Sequence, residues 1–292
     1  MADPHAPAGP AAICPVTVRP AAIWAGLTLD RPRVMGILNV TPDSFSNGGA
    51  YADAAQAIAA GRAMAEAGAD IVDVGGESTR PGAAAVPPGE EIRRILPVVR
   101  GLAEAGLRVS IDTRNAATME AALDAGAAIV NDVSALTHDP AAAPLVAVRG
   151  CPVVLMHMRG TPGTMTGLAR YADVAAEVAA ELAARMAAAE AAGIARAALC
   201  LDPGFGFAKR GEHSVELLRR LPELAALGRP LLVGVSRKGF IGRLSGEERP
   251  AARLGGSLAA GLFAVSRGAA ILRVHNVSES IAALKVWRAL AD

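Results

Sequence analysis

The ten residues from Asp73 to Gly82, DVGGESTRPG, combine residue types that can bind an anion, and they directly follow the apolar pair Ile71-Val72. Glycine allows the backbone to approach a ligand closely, and proline stiffens the end of the segment. Arg80 and the hydroxyl groups of Ser78 and Thr79 can hold an oxyanion. The segment therefore indicates an anion-binding loop, although a solvated turn would explain this decapeptide, taken alone, equally well.

Three short polar side chains follow apolar strand candidates farther along the chain: Asp112 after VSI, Asn131 after AIV and Asp202 after LCL. A carboxylate accepts N–H bonds and an amide both accepts and donates them, which suits a flat heterocycle with an amino-amide edge. For each residue taken singly, a strand-end cap that satisfies loop backbone is the alternative. Three such residues on one rim favour the heterocycle.

Cations follow the last two strand candidates. Lys238 lies in SRKGFIG, and Arg273 and His275 alternate in LRVHN, so the latter two share one face of their strand. An arginine and a histidine on one face can hold a phosphate through several donors. A surface ion pair and a satisfied core histidine are the alternatives. The anion is favoured because Asn39 and Arg80 would meet these cations across the rim.

Two apolar residues lie beside the polar ones. Phe207, in DPGFGFAK, follows a glycine pair close to Asp202, and Met156 ends a strand candidate. They could form the wall and the floor of a pocket for an aromatic substrate. Loop packing for Phe207 and core filling for Met156 are the alternatives.

Such residues need elements that bring them together, and the chain supplies eight short apolar strand candidates that alternate with helical patterns. In a (β/α)8 barrel the C-terminal ends of all strands meet on one face, whereas an open sheet would scatter some of them. Eight units in 292 residues therefore predict an α/β fold, a (β/α)8 TIM barrel. The strand candidates are Val34–Leu38, Asp70–Val74, Val109–Ile111, Ala128–Val130, Val153–Met156, Ala198–Leu201, Leu231–Val235 and Ala270–Val274.

The remaining organisation is simple. Residues 1–15 are predicted to be a flexible N-terminal tail, and residues 16–292 a single domain without an internal linker. The segment Val16–Arg33, with Gly26 and Asp30 as turn signals, predicts a short hairpin that closes the opposite end of the barrel. A single helix is predicted over Val215–Leu227.

Composition excludes several classes of protein. A formal net charge of +1 gives no global field that would recruit nucleic acid or an acidic membrane. The alanine-rich segment Ala172–Ala192 is interrupted by acids and arginine, which indicates an amphipathic helix and not a membrane span. Three widely spaced cysteines form no disulfide framework, and the N-terminus lacks the pattern of a signal peptide, so a cytoplasmic location is expected.

Several common catalytic motifs fail on inspection. The segment beginning at Gly204 has Lys209 where the third glycine of GxGxxG would stand. The segment GVSRKG fits neither the hydrolase GxSxG nor the phosphate-binding GxxxxGK[ST] pattern. The five histidines show no HExxH or paired metal spacing, so a zinc enzyme is not expected.

Eight segments, in order from Val34 to Val277, together resemble the successive signatures of the dihydropteroate synthase family. They are MGILNVTPDSFSNGG, DVGGESTRPGA, VSIDTRN, VNDVSAL, VLMHMRGTPGTM, LDPGFGFAK, GVSRKGFIG and ILRVHNV. The resemblance implies condensation of (7,8-dihydropterin-6-yl)methyl diphosphate with 4-aminobenzoate, which releases diphosphate and forms dihydropteroate for folate synthesis. It also implies an SN1-like reaction through a pterin cation, a homodimer, and loops at Thr41–Gly49 and Gly75–Gly82 that close over diphosphate.

The same resemblance implies roles for individual residues. The expected catalytic residues are Arg80, Lys238, Arg273 and His275. The expected pterin contacts are Asp112, Asn131, Met156, Asp202, Lys238 and Arg273. The expected diphosphate contacts are Thr79, Arg80, Arg273 and His275, with Asn39 as a ligand of a Mg²⁺ ion on the diphosphate. The expected lining of the 4-aminobenzoate pocket is Thr79, Pro81, Phe207, Lys238 and Gly239.

Two departures from the family pattern keep other functions open. Asn47 replaces an acid in SFSDGG, which removes a negative charge that could stabilise a pterin cation, and Gly239 stands where many relatives have serine. A corrinoid methyltransferase would keep the acid and amide pocket but would not need Thr79 and Arg80. A paralogue that only scaffolds a partner is the non-catalytic alternative, supported by Asn47 and Gly239 alone. The oligomeric state stays open, because the apolar segment Leu254–Val265 suits both a dimer interface and packing on the barrel.

Overall fold

A short hairpin leads into the barrel in the computed structural model of the protein, which describes residues 22–41, 50–78 and 86–291. The hairpin consists of β1 (Ile23–Trp24) and β2 (Leu27–Thr28). Its two-residue turn, Ala25-Gly26, has φ of 51° and 70°, the backbone whose twist matches that of paired strands. The predicted hairpin is confirmed, and the predicted tail lies outside the described residues.

Eight parallel strands close into a barrel, which confirms the predicted (β/α)8 TIM barrel. Closure is made by pairing of the last strand with the first, which places Leu272 beside Val34. Such strands are buried on both faces because helices cover the outside. The strands are β3 (Arg33–Asn39), β4 (Ile71–Gly75), β5 (Val109–Asp112), β6 (Ile129–Asp132), β7 (Val153–Met156), β8 (Leu199–Asp202), β9 (Leu231–Val233) and β10 (Ala269–Val274).

Helices surround the barrel. They are α1 (Ala50–Glu66), α2 (Pro88–Glu104), α3 (Ala116–Asp124), α4 (Ala142–Arg149), α5 (Val174–Ala191), α6 (Gly211–Arg219), α7 (Leu221–Ala225), α8 (Gly239–Ser245), α9 (Leu254–Ser266) and α10 (Val277–Ala291). The single helix predicted over Val215–Leu227 is wrong: α6 and α7 meet at Arg220, because Pro222 suits a first helical turn and interrupts a continuing one. No helix in the described part of the chain has the length and apolar character to cross a membrane.

The barrel interior is layered. Alternate residues of each strand point inward, and at the N-terminal end these residues are apolar. Trp24 of the hairpin packs against them with 1% of its surface exposed, and its Nε1 donates to Ala198 O at 2.8 Å. The hairpin therefore closes this end of the barrel and leaves the other end for a site. The apolar layer consists of Trp24, Met35, Ile71, Ile129, Val154, Cys200, Leu232 and Ile271.

Candidate active site

The polar residues lie directly above the apolar layer, at the C-terminal mouth of the barrel. Because side chains alternate along a strand, the residue two positions after an inward apolar residue also points inward. On five strands that residue is polar or long and flexible. These residues are Asp73 after Ile71, Asn131 after Ile129, Met156 after Val154, Asp202 after Cys200, and Arg273 after Ile271.

Arg273 joins two acids across this mouth. Its Nε donates to Asp73 Oδ2 and its Nη2 donates to Asp112 Oδ2, both at 2.6 Å. Asn131 Nδ2 donates to the same Asp73 oxygen at 3.0 Å. Asp73 is fully buried and Asp112 is 9% exposed, so these ion pairs lie in a weakly screened environment. The structure thus brings together Arg273, Asp112 and Asn131, which the sequence placed on one rim.

Burial sets the charge of these groups. It raises the pKa of Asp112 to about 7, although the charge of Arg273 opposes the rise. Burial disfavours the charged form of Arg273, but Asp73 and Asp112 outweigh it and hold the pKa of Arg273 above its ordinary value. Within the described residues, Oδ1 of Asp112 and Oδ1 of Asp73 are buried and accept no hydrogen bond. Such oxygens can accept N–H bonds from a ligand.

Asp202 is held by the loop that follows it. Its Oδ1 accepts a hydrogen bond from the backbone N–H of Gly204 at 2.7 Å. Gly204 has φ of +68°, and a Cβ atom there would lie 1.9 Å from His157 O, so only glycine fits this position. Burial raises the pKa of Asp202, while the Gly204 N–H and the charge of Lys238 lower it.

Phe207 and Met156, the residues predicted to form the wall and floor of a pocket for an aromatic substrate, lie on the Asp202 side of the mouth. Phe207 and Met156 are 9% and 4% exposed and belong to one small apolar cluster. Lys238 Nζ lies 4.5 Å from the centroid of the Phe207 ring, a cation–π contact. Lys238 and Phe207, predicted from separate loops, therefore meet on the same side of the mouth.

The remaining predicted residues lie at the rim or outside the described ranges. His275 Nδ1 lies 3.0 Å from Ser236 Oγ, and Asn39 is partly exposed at the end of β3. A Cβ atom on Gly239 would meet nothing within 4 Å, so packing does not require glycine there. Thr79, Arg80, Pro81 and Asn47 fall outside the described residues, as do parts of both loops expected to close.

Sequence reasoning did not assign a role to two residues that the structure places in the site. Asp73 opens the decapeptide DVGGESTRPG, but its ion pair with Arg273 spans 200 positions of the chain and leaves no local signal. Lys209 was noted only as a mismatch to a nucleotide-binding motif, yet its Nζ donates to Phe207 O at 3.1 Å. The available sequence signal was a lysine, one of three in the chain, in a glycine-rich loop.

Comparison with known proteins first defines the class. Residues 35–275, which run from within β3 past the end of β10, match the family model described as pterin binding enzyme. The match covers the acid and amide residues of the mouth together with Arg273 and His275. The fold and the site are thus those of a pterin-binding barrel enzyme.

Individual relatives narrow this class. The chain is 51% identical over 265 residues to the dihydropteroate synthase of Neisseria meningitidis serogroup C, covering 90% of this chain and 94% of that one. A Xanthomonas albilineans dihydropteroate synthase structure with 4-aminobenzoic acid superposes with a TM-score of 0.86 at 52% identity, covering 91% and 96% of the two chains. Another, in complex with 7,8-dihydropteroate, gives 0.82 at 49% identity, covering 90% and 95%. The chain belongs to the dihydropteroate synthase family.

Proposed function

We propose that this protein condenses (7,8-dihydropterin-6-yl)methyl diphosphate with 4-aminobenzoate, releasing diphosphate and forming 7,8-dihydropteroate. The observation that carries the proposal is the buried acid and amide group at the barrel mouth, which Arg273 links together. Solved relatives with 4-aminobenzoic acid and with 7,8-dihydropteroate support the same substrates. The protein is therefore a transferase of folate biosynthesis.

Pterin recognition follows from the donors and acceptors in the mouth. The amino group and ring N–H of the pterin need acceptors, and the carboxylates of Asp112 and Asp202 supply them. Oδ1 of Asp112 accepts no bond from the described residues, which suits a ligand donor. Asn131 and Lys238 offer donors for the ring carbonyl and nitrogen, and Met156 offers an apolar surface beneath the ring. Polar groups left unpaired in such a pocket would reject a ligand that lacks the matching edge.

The chemistry is transfer of the pterin methylene from oxygen to nitrogen. The C–O bond to diphosphate breaks first, and both bonding electrons leave with the diphosphate oxygen. The amine nitrogen of 4-aminobenzoate then attacks the resulting methylene cation and loses a proton. Arg273 and His275, with Arg80 from the second loop, would stabilise the charge that develops on the diphosphate. Phe207 and Lys238 would position the arylamine.

Mg²⁺ is proposed as the metal that accompanies the diphosphate. Its preferred ligands are hard oxygens, often from substrate phosphates and water. The described residues contain no group of three or more His, Cys, Asp or Glu that could hold a metal, and the side-chain amide oxygen of Asn39 fits an ion carried mainly by substrate. When bound, Mg²⁺ would neutralise charge on the leaving group.

A homodimer is proposed on the basis of α9. Its sequence, LGGSLAAGLFAVS, is almost entirely apolar, yet only Gly261 and Ala264 are buried. On the neighbouring α10, Val286 and Leu290 are 62% and 83% exposed. An apolar helix that the rest of the chain covers only in part is typical of a subunit interface. A cytoplasmic location is also proposed, since Cys151 and Cys200 are both buried and free.

The test is an assay of the purified protein with the pterin diphosphate, 4-aminobenzoate and Mg²⁺, in which dihydropteroate is measured by chromatography. We expect product from the wild type and none from Asp202→Asn or Arg273→Ala. Lys285→Met serves as the control because Lys285 is exposed on α10. Tight pterin binding by the wild type without product would instead support a pterin-binding scaffold or a methyl-carrier protein.

A further inference from the structure

Lys209 is an unusual lysine in this chain. The protein has 29 basic Lys and Arg residues, and only Lys209, Lys238 and Lys285 are lysines. Lys285 is exposed on α10, whereas Lys238 lies at the site and Lys209 is 8% exposed just behind it. Lysine offers a compact ammonium with three donors, whereas arginine presents a wide planar fork. A chain that otherwise uses arginine therefore has lysine where a small buried donor fits.

The surroundings of Lys209 match an ammonium group. Its Nζ lies 2.8 Å from His157 Nδ1, 3.1 Å from Gly204 O and 3.1 Å from Phe207 O. His157 O lies farther away, at 3.5 Å. The three near atoms can all accept, and an ammonium has three N–H donors. Lys209 thus donates to Phe207 O and adds a second donor to Gly204 O, which also accepts from the backbone N–H of Phe207 at 3.0 Å.

His157 is held in the form that accepts from Lys209. Its Nε2 lies 3.0 Å from Glu181 Oε2, and Arg159 binds the same carboxylate. Nε2 therefore donates to Glu181, which leaves the lone pair of Nδ1 facing Lys209. Burial lowers the pKa of His157 to about 3, and the charge of Lys209 adds to the effect, so the ring stays neutral. Glu181 on α5 thereby orients a donor at the site without touching the site.

The loop that Lys209 holds carries two site contacts. Gly204 donates its backbone N–H to Asp202, and the ring of Phe207 lies under Lys238 Nζ. Three residues of this loop have positive φ: Gly204 (68°), Gly206 (79°) and Ala208 (48°). The loop backbone makes the hydrogen bond from Phe207 N–H to Gly204 O, and the side-chain bonds of Lys209 to Gly204 O and Phe207 O hold the same turn from a second direction.

We propose that Lys209 is a positioning residue of the synthase: its ammonium fixes the loop from Gly204 to Ala208, so that Gly204 caps Asp202 and Phe207 faces Lys238. Lys209 acts on both substrates through these residues and does not contact either of them. The inference rests on the proposed synthase function, because Asp202 and Phe207 are assigned to the two substrate pockets there.

The charges around Lys209 give the proposal a pH dependence. The groups that act on Lys209 are His157 after β7, Arg159 in the next loop, Glu181 on α5, Asp202 at the end of β8 and Lys238 after β9. Tyr171 and His213 lie farther out, Tyr171 near the His157 ring and His213 near the Tyr171 ring. Burial lowers the pKa of Lys209 to about 7, although the charges of Asp202 and Glu181 oppose the change. As the pH rises through this value, the group loses one N–H donor and its charge. The loop contacts should then weaken, and KM should increase.

The test compares Lys209→Met with Lys285→Met, which removes the same charge from an exposed site. For Lys209→Met we expect KM for both substrates to rise about tenfold, the scale of a hydrogen-bonded charge, with kcat changed far less. The rise of KM above pH 7 should be absent in this variant. Loss of folded enzyme alone would lower kcat at unchanged KM, and that result would overturn the proposal. Unchanged constants would overturn it too, whereas a wild type without product would contradict the synthase function instead.

Glu181→Gln provides a second test if Lys209→Met does not fold. The Glu181 side chain is 40% exposed, and glutamine can still accept from His157, so folding should persist. The carboxylate supports the charged form of Lys209. Its loss should therefore shift the rise of KM to lower pH, with values near pH 6 unchanged. A profile identical to that of the wild type would refute the link from α5 to the site through His157 and Lys209.

Discussion

Replacing Asp73 by asparagine should destabilise the protein strongly, even though the two side chains have nearly the same shape. Asp73 is fully buried, and its Oδ2 receives both Arg273 Nε at 2.6 Å and Asn131 Nδ2 at 3.0 Å. Breaking a buried ion pair costs about 3–5 kcal/mol. Since Arg273 keeps Asp112 as a partner, we expect the lower end, about 3 kcal/mol. For a domain of this size that corresponds to a fall in Tm of roughly 6–12 °C.

The same substitution should change the pH dependence of activity. The charge of Asp73 is one of the influences that raise the pKa of Asp112, after burial as the largest cause. Without that charge, Asp112 should ionise at lower pH. Because a protonated Asp112 cannot accept the pterin N–H bonds as a carboxylate does, the acidic limb of kcat/KM reports this group in the free enzyme. The limb should therefore move to lower pH in Asp73→Asn.

Calorimetry and a pH series of initial rates test the two effects separately. Asp124→Asn makes the same chemical change at an exposed residue, whose side chain is 59% accessible and pairs with Arg149 at the surface. Its Tm should stay within about 2 °C of wild type, as expected for an exposed ion pair. An equally small change in Asp73→Asn would refute the argument from the buried ion pair. An acidic limb that stays in place or moves upward would refute the electrostatic link between Asp73 and Asp112.

Three further outcomes follow from individual residues. Between the ordinary pKa of 3.8 and about 7, Asp112 holds a proton in the folded protein but not in the unfolded chain, so the free energy of unfolding should fall as the pH rises through this range. Urea titrations at several pH values measure this dependence, and Asp112→Asn should make it flatter. Ala208 has φ of +48°, so Ala208→Gly should raise the free energy of unfolding by about 0.5–1 kcal/mol, measured as a higher urea midpoint, and a lower midpoint would contradict strain there. Trp24→Ala should cost about 3–5 kcal/mol because the side chain fills the closed end of the barrel, and a loss under 1 kcal/mol in the same titration would show that the hairpin packs loosely.

The barrel was predictable because its signal is local and repeated. The strands are short apolar runs, and several of them end in or next to a polar residue that is rare in a buried sheet, such as Asp112 in β5 and Asn131 in β6. The topology of a (β/α)8 barrel then places all these ends on one face. The break between α6 and α7 was missed although Pro222 is visible in the sequence, because the apolar pattern continues through it.

Contacts across the mouth were not predictable in the same way. Asp202 and Lys238 can be placed on the rim from strand order, but the pairing of Arg273 with Asp73 depends on how closure of the barrel aligns β10 with β3 and β4. Lys209 lies seven residues beyond the end of β8 and not directly after the strand, so residues chosen because they end a strand do not include it. Its role depends on distances to backbone oxygens, which residue types do not encode.

Arg273 shows why position alone does not define a role. The sequence predicts that it holds a phosphate, whereas in the structure its Nε and Nη2 donate to the carboxylates of Asp73 and Asp112. A substitution there disturbs the fold and the site together, because it leaves buried carboxylates without their counter-charge. Asp202→Asn separates the two effects better: an amide oxygen can still accept the N–H of Gly204, and what the change removes is the Asp202 charge, which also favours the ammonium form of Lys209. Loss of activity in that variant at unchanged Tm would therefore assign Asp202 to pterin binding more directly than any result with Arg273.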